Sequence, residues 1–344
     1  WISSEGPFVE KFELELSKKI NRKYGIACSN GTAALDIAVA ALKIGPGDEV
    51  IMPTFTIISC ALAIIKSGAK PVLVDSDPNT WNMNINAVEN VITSRTRAIM
   101  AVHIYGLPVD MDPLKKIARK YGLYIIEDAA ELIGAKYKDR QCGSIGDIST
   151  FSFYPNKQIT TGEGGMVFTD DLQIKNRCKS LRNLCFQEGN RFVHNEIGWN
   201  YRMTNLQAAL GIAQLEKLEK TIEKKIKIGS LYNKYLMEIK DIVLPLKKTD
   251  FAQNIYWVFG ILIKSDIENA KSVMAQLKNL KIGSRPFFYP MHKQPVFKKM
   301  GIFEKNHFPV SERLYEKGLY LPSGIKLLEE DIKIISKKLK TIFQ

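Results

Sequence analysis

Short apolar runs alternate with amphipathic stretches between residues 24 and 170, and the alternation predicts strands and helices in turn. Residues 24–28, 49–52, 71–75, 98–103, 123–127, 149–153 and 165–169 read as strands. Residues 32–42, closed by Gly45-Pro46-Gly47, residues 56–67 and residues 111–121 read as helices. Strands alternating with helices imply an α/β fold, a mainly parallel sheet covered on both faces. Ligands of such sheets sit at the carboxyl ends of the strands. Beyond residue 200 the period changes. Residues 206–228 form a long Lys/Glu-rich helical pattern with apolar positions at Leu206, Leu210, Ile212, Leu215 and Leu218. A second helix over 228–239, a strand over 257–263, and helices over 267–277 and near 329–340 suggest a smaller α+β region. The boundary is placed near residue 235, giving domains 1–235 and 236–344.

Charge modifies this picture. The 344 residues carry 49 Lys+Arg against 36 Asp+Glu, a net +13 that first suggests nucleic acid or a phosphorylated partner. Residues 1–200 hold 23 basic and 22 acidic groups, leaving 26 basic and 14 acidic groups beyond them. The excess therefore rides on Lys-rich helices such as 217–227 and 333–340, where a solvated face is the simplest reading. No run of about 18 apolar residues appears, so no membrane-spanning helix is expected. The chain opens on Trp1 with no Met or signal-peptide pattern, which leaves room for a preceding segment. Five scattered cysteines without a CxxC argue against a disulfide scaffold and for a reducing cytoplasm. Four histidines far apart in sequence give no metal-ligand spacing.

Three segments carry candidate chemistry. Ser29-Asn30-Gly31-Thr32 follows a strand and opens a helix, where free N–H groups and the helix dipole favour an anion. A plain N-cap explains the same residues. The segment Glu127-Asp128-Ala129-Ala130-Glu131 ends a buried strand, where a carboxylate suits a cationic ring nitrogen, or Asp128 caps a helix. Lys157 lies in a loop between a strand and Gly162-Glu163-Gly164-Gly165. Lowered in pKa it is suited to a Schiff base; otherwise it is a surface lysine and the glycines form a hairpin. Together the three supply a phosphate cradle, a carboxylate for a ring nitrogen and an imine lysine, the set that pyridoxal phosphate requires.

These motifs resemble the DegT/DnrJ/EryC sugar-nucleotide aminotransferases, which have the fold-type-I pyridoxal-phosphate architecture. The resemblance runs from Trp1-Ile2-Ser3-Ser4 to Leu321-Pro322-Ser323. It includes Gly47-Asp48-Glu49-Val50-Ile51, His103-Ile104-Tyr105-Gly106, Gly198-Trp199-Asn200-Tyr201-Arg202-Met203 and the stretch from Arg285 to His292. Within the family these segments look most like the members that aminate C4 of GDP-4-keto-6-deoxymannose for surface polysaccharide.

The resemblance implies that Lys157 carries the imine to pyridoxal 5'-phosphate and shuttles protons, with pyridoxamine phosphate as the intermediate form. It implies that Asp128 pairs with the pyridine nitrogen and that Gly31, Thr32 and Ser152 hold the phosphate. Glu131 matches a position that bonds the ring oxygen, where many members have Gln, and its protonation is left open. Asn200 matches a residue reaching the phosphate of a neighbouring subunit, which implies a homodimer. Ile57 stands where many members place an aromatic over the ring, so either Ile57 or Phe55 covers it. Lys157 favours transamination over dehydration, since related dehydratases carry histidine there. His194, Arg285, Tyr289 and His292 are the candidate substrate residues, with Arg285 suited to a diphosphate; a surface ion pair explains Arg285 equally, structural roles explain the histidines equally, and an aromatic run such as Phe287-Phe288-Tyr289 is more often core packing. The expectation is thus a cytoplasmic homodimer with L-glutamate as amino donor and a nucleotide sugar as acceptor, binding neither nucleic acid nor membrane. A UDP- or dTDP-linked sugar, amination at C3, or a non-catalytic nucleic-acid-binding protein are the alternatives.

Overall fold

A computed structural model describes residues 2–4, 6–187, 189–190, 192–265, 268–303 and 306–343. Trp1 and Ile267, which belong to the expectations above, lie outside the described residues. The larger sheet contains β1 (Tyr24–Cys28), β2 (Glu49–Pro53), β3 (Lys70–Val74), β4 (Thr96–Val102) and β5 (Tyr124–Asp128). A hairpin of β6 (Lys136–Tyr137) and β7 (Arg140–Gln141) stands outside it, and β8 (Ile148–Ser152) and β9 (Gly165–Thr169) complete it. The order is β1-β9-β8-β5-β4-β2-β3, with β9 antiparallel to both its neighbours and the pairs among β8, β5, β4, β2 and β3 all parallel.

Both faces of this sheet are buried, and successive residues feed opposite cores. Val50, Met52, Ala98, Met100, Val102 and Ile126 face helices Gly31–Ala41, Ile58–Lys66 and Leu172–Arg182. Ile51, Ile99, Ala101 and Ile125 face helices Pro7–Ile20, Met111–Tyr121 and Asn205–Leu215. The parity places Asp128 on the first face and Glu127 on the second. Helix Pro7–Ile20 has no counterpart among the expected elements. Its many charged residues dilute the apolar set Phe12, Leu16 and Ile20 that it buries.

The expected helix over 206–228 is corrected. The chain leaves helical geometry at Lys217 (φ −103°, ψ 2°), between helices Asn205–Leu215 and Leu218–Leu236. This turn lets Leu218 and Ile222 enter the core beside Gly134, while Leu206 and Leu210 stay exposed. Nothing interrupts the second helix at 228, because Ile222, Lys225, Gly229, Tyr232 and Leu236 keep one buried face. It leads into a four-stranded sheet, β10 (Ile242–Val243), β11 (Phe259–Ile263), β12 (Arg285–Pro286) and β13 (Gly318–Leu321), in the order β10-β11-β13-β12. Helix Glu329–Lys340 packs beside it.

On the second face the turn at Gly143 fixes the ground under β5. Its φ of +90° is a left-handed value, and a Cβ there would strike the Phe151 ring. Its N–H, with those of Ile145 and Gly146 (3.0 Å each), donates to Glu127. Gly143→Ala is expected to lower stability by about 2–4 kcal/mol in denaturant unfolding, from backbone strain and overpacking together. A change below about 0.5 kcal/mol, the range of ordinary surface substitutions, would contradict this reading of the turn.

Candidate active site

At the carboxyl ends of β5 and β8 lies a cavity of about 670 Å³. Its lining includes Gly31, Thr32, Asp128, Glu131, Ser152 and Lys157, six of the residues expected from sequence. Helix Gly31–Ala41 delivers the first two. Asn30 sits in extended geometry and caps the helix, its Oδ1 accepting from the Ala33 N–H at 2.8 Å, while its carbonyl accepts from Ala34. Capping does not use up this helix end: the N–H groups of Gly31 and Thr32 have no intrahelical partner, and both residues line the cavity, where such an end suits an anion. A Cβ on residue 31 would come 2.8 Å from Ser152 Cβ, so glycine keeps this end open. Thr32 Oγ1 is fixed by Ser59 Oγ at 2.8 Å.

Asp128 is buried and begins no helix. Oδ1 accepts from the Ala130 N–H at 3.1 Å and Oδ2 from the Cys60 thiol at 3.2 Å. One amide and one weak thiol donor are few for a buried carboxylate, which costs several kcal/mol unless well partnered. This donor shortage fits a cationic N–H arriving from the cavity, as a protonated pyridine ring would supply.

Lys157 projects from the loop between β8 and β9. The loop is anchored by Phe153 and Ile159, both buried, by the Lys157 N–H to the Tyr154 carbonyl, and by the Trp257 indole N–H to the Asn156 carbonyl at 3.0 Å. The ammonium lies 3.8 Å from the Trp257 ring centroid and 3.9 Å from Glu131 Oε1. Burial lowers its pKa, opposed by Glu131 and Asp128. Burial pushes Glu131 up to about 8, opposed by Lys157 and by the Tyr105 N–H that donates to Oε2 at 2.7 Å. Burial thus favours the protonated form of Glu131, which eases the repulsion a carboxylate there would meet.

Behind this layer His103 is fully buried. Its Nδ1 accepts from the Val109 N–H at 3.0 Å, which makes Nε2 the protonated nitrogen, donating to Glu127 at 3.1 Å. Burial opposes ionisation of Glu127, but His103 and the backbone donors outweigh it and hold the carboxyl at about 2. His103, Thr56, Ser59, Trp257 and Tyr320 also line the cavity and were not singled out from sequence. For His103 the only signal was its place in the His103-to-Gly106 motif.

Other expected residues fall elsewhere. Ile57 lines the cavity and is 45% exposed, whereas Phe55 is buried among Tyr105, Phe287 and Phe288, so Ile57 is the side chain in position to cover a ring. His292 is not among the residues lining the cavity: it is 2% exposed, and both its nitrogens are engaged, by Thr54 at 2.8 Å and Glu312 at 2.9 Å. Tyr289 packs edge-on against Tyr315 outside the cavity, and His194 lies exposed, bonded to the Leu184 carbonyl. Asn200 is exposed and bridged to Asn183. Arg285 lines an adjoining cavity that shares Lys157 and Tyr320.

The Glu131 shift has a measurable sign. The folded, cofactor-free protein keeps a proton that the unfolded chain releases near 4.5, so this group's contribution to stability falls as pH rises from about 4.5 to about 8. Glu131→Gln is expected to flatten that slope in urea unfolding of the cofactor-free protein, and an unchanged slope would contradict a protonated Glu131.

Residues 1–340 match the family model described as the DegT/DnrJ/EryC1/StrS aminotransferase family. The chain is 40% identical over 343 residues to a GDP-perosamine synthase of Escherichia coli O157:H7, covering 100% of this chain and 92% of that protein. It is also 40% identical to a GDP-perosamine synthase of Caulobacter vibrioides, over 96% of this chain and 89% of the relative. Among solved structures, a DegT DnrJ EryC1 StrS aminotransferase from Brucella abortus superposes with a TM-score of 0.90 at 32% identity, over 98% of this chain and 91% of that one. With this similarity spanning both sheets and the cavity between them, the chain belongs to the DegT/DnrJ/EryC1/StrS family and is a pyridoxal-phosphate-dependent aminotransferase acting on sugars.

Proposed function

We propose that the protein moves an amino group from L-glutamate to C4 of a GDP-linked 4-keto-6-deoxy sugar, GDP-4-keto-6-deoxymannose, releasing 2-oxoglutarate and GDP-perosamine for O-antigen polysaccharide. The observation that carries the reading is the convergence of Lys157, Asp128 and the Gly31–Thr32 helix end on one cavity. The nucleotide and the C4 position rest on the whole-length similarity to the two GDP-perosamine synthases.

Bound pyridoxal phosphate supplies an electron-withdrawing ring that stabilises negative charge on the carbon bearing the transferred nitrogen. The N–H groups of Gly31 and Thr32, with the Ser152 hydroxyl, bind the phosphate. Asp128 would hold the protonated ring nitrogen and keep its proton in place. Glu131 presents a proton toward the ring oxygen. Lys157 Nζ, lowered in pKa by burial, would be the nucleophile that holds the cofactor and the base that takes up and returns the substrate's proton. Ile57 excludes water from one face of the ring. Arg285 meets the substrate's diphosphate. We read residues 1–235 as the cofactor-binding unit and 236–344 as the smaller unit, working in the cytoplasm as a homodimer. In that dimer Asn200, exposed in one chain, reaches the phosphate of the neighbouring site, and His194 is a substrate residue.

The cofactor-loaded protein is expected to absorb at roughly 410–430 nm, the range of a lysine-bound cofactor, and to bleach on adding glutamate. Lys157→Ala should lose the band and slow turnover by at least about 100-fold, the low end of what a positioned base contributes. A variant that keeps both would contradict the assignment. Turnover with GDP-, UDP- and dTDP-linked 4-keto-6-deoxy sugars, with the amino position read by NMR, decides the acceptor. Preference for GDP and a 4-amino product is the expected result; faster turnover of another nucleotide or a 3-amino product overturns it.

A further inference from the structure

The cavity that adjoins the cofactor site has a volume of about 680 Å³ and shares Asn156, Lys157, Trp257 and Tyr320 with it. Three cations line it, Lys157, Lys225 and Arg285, and no aspartate or glutamate does. Lys225 is the unusual one. It lies on the buried face of helix Leu218–Leu236 and is only 7% exposed, in a stretch whose other lysines, 217, 220, 224 and 227, are all solvent-facing. Lysine is almost never this buried without a paired charge. Among the described residues its Nζ contacts no carboxylate. It donates to the Ser323 carbonyl at 2.7 Å and to Ser323 Oγ at 3.3 Å. An ammonium has three N–H donors, and among the described residues only Ser323 accepts from this one, which lines the cavity.

We propose that this cavity is an anion site in which Lys225 and Arg285 hold the diphosphate of the sugar nucleotide. The inference rests on the sugar-nucleotide reading above and extends it to a residue that neither the motifs nor the comparisons assign. A substrate whose keto carbon is at Lys157 must extend its diphosphate away from that residue, and this is the contiguous space free of acidic groups. Arg285, on β12 beside Tyr320 of β13, offers a planar fork suited to phosphate oxygens. Lys225 offers a buried point charge that lacks a counter-ion until an anion arrives.

Burial pushes the Lys225 amine down to about 7 and is the one influence resolved on it; the other titratable groups lining the cavity are Lys157, Arg285 and Tyr320. An anion beside Lys225 favours its charged form, so binding above neutral pH takes up a proton.

The test is calorimetric titration of GDP, UDP and dTDP into the cofactor-loaded protein at about pH 8, in buffers of differing ionisation heat. The wild type is expected to bind with proton uptake. Lys225→Met should weaken binding roughly ten- to hundredfold, the loss of one charged hydrogen bond, and abolish the uptake. Lys225→Arg, always charged, should retain affinity without the uptake. Cofactor absorbance and thermal melting report that the variants are folded. If Lys225→Met binds within about twofold of wild type with the same uptake, Lys225 is only a tie to Ser323 and the site is refuted, whatever the base preference. If UDP or dTDP binds better than GDP but still depends on Lys225, the anion site stands and the GDP assignment falls.

Discussion

A buried carboxylate short of donors organises this molecule. Asp128 stands at the carboxyl end of a central strand with one backbone amide and one thiol for partners. Leaving such a charge in a low-dielectric site costs several kcal/mol unless a cation completes it. The contrast with Glu127, one residue earlier, is instructive. Strand parity sends Glu127 to the opposite face, where His103 and three backbone N–H groups satisfy it and its charge is stable. The sequence Glu-Asp thus sets a finished charge on one side of the sheet and an unfinished one on the other. The unfinished one faces the cavity.

The rest of the site follows from that asymmetry. Lys157 is held 3.9 Å from Glu131, and burial depresses its pKa against the opposing pull of Glu131 and Asp128. Its position depends on both halves of the chain. The loop comes from the larger sheet, but the indole beneath the amine and the hydrogen bond that pins Asn156 come from Trp257, next to β11 of the smaller one. A shift of the smaller sheet relative to the larger would therefore move the nucleophile.

Much of the architecture was legible in the sequence because both periodicities are clean. All seven strands of the larger sheet lie within two residues of their expected positions, and the three local motifs carry Gly31, Asp128 and Lys157 to a single cavity. What escaped is what sequence proximity does not encode. Trp257 is 100 residues from Lys157, and in the sequence it marks only the start of an expected strand. Lys225 sits in a run of lysines and differs from them only in the direction it faces, which the turn at Lys217 decides. His292 ends an aromatic run that suggested substrate contact, yet tertiary packing engages both its nitrogens with Thr54 and Glu312. The +13 charge behaves similarly: nearly all of the Lys-rich face of 217–227 is solvated, and the informative group is the single lysine that is not.

The central claim is that Asp128 holds a cationic ring nitrogen. It is tested most directly by ¹⁵N NMR of the protein loaded with pyridoxal phosphate labelled at the ring nitrogen. The account predicts a nitrogen that stays protonated from about pH 6 to about pH 9 in the wild type, because an adjacent buried carboxylate favours the charged form, and that loses its proton within that range in Asp128→Ala. A wild-type ring nitrogen that titrates in the same range as the variant's would contradict it.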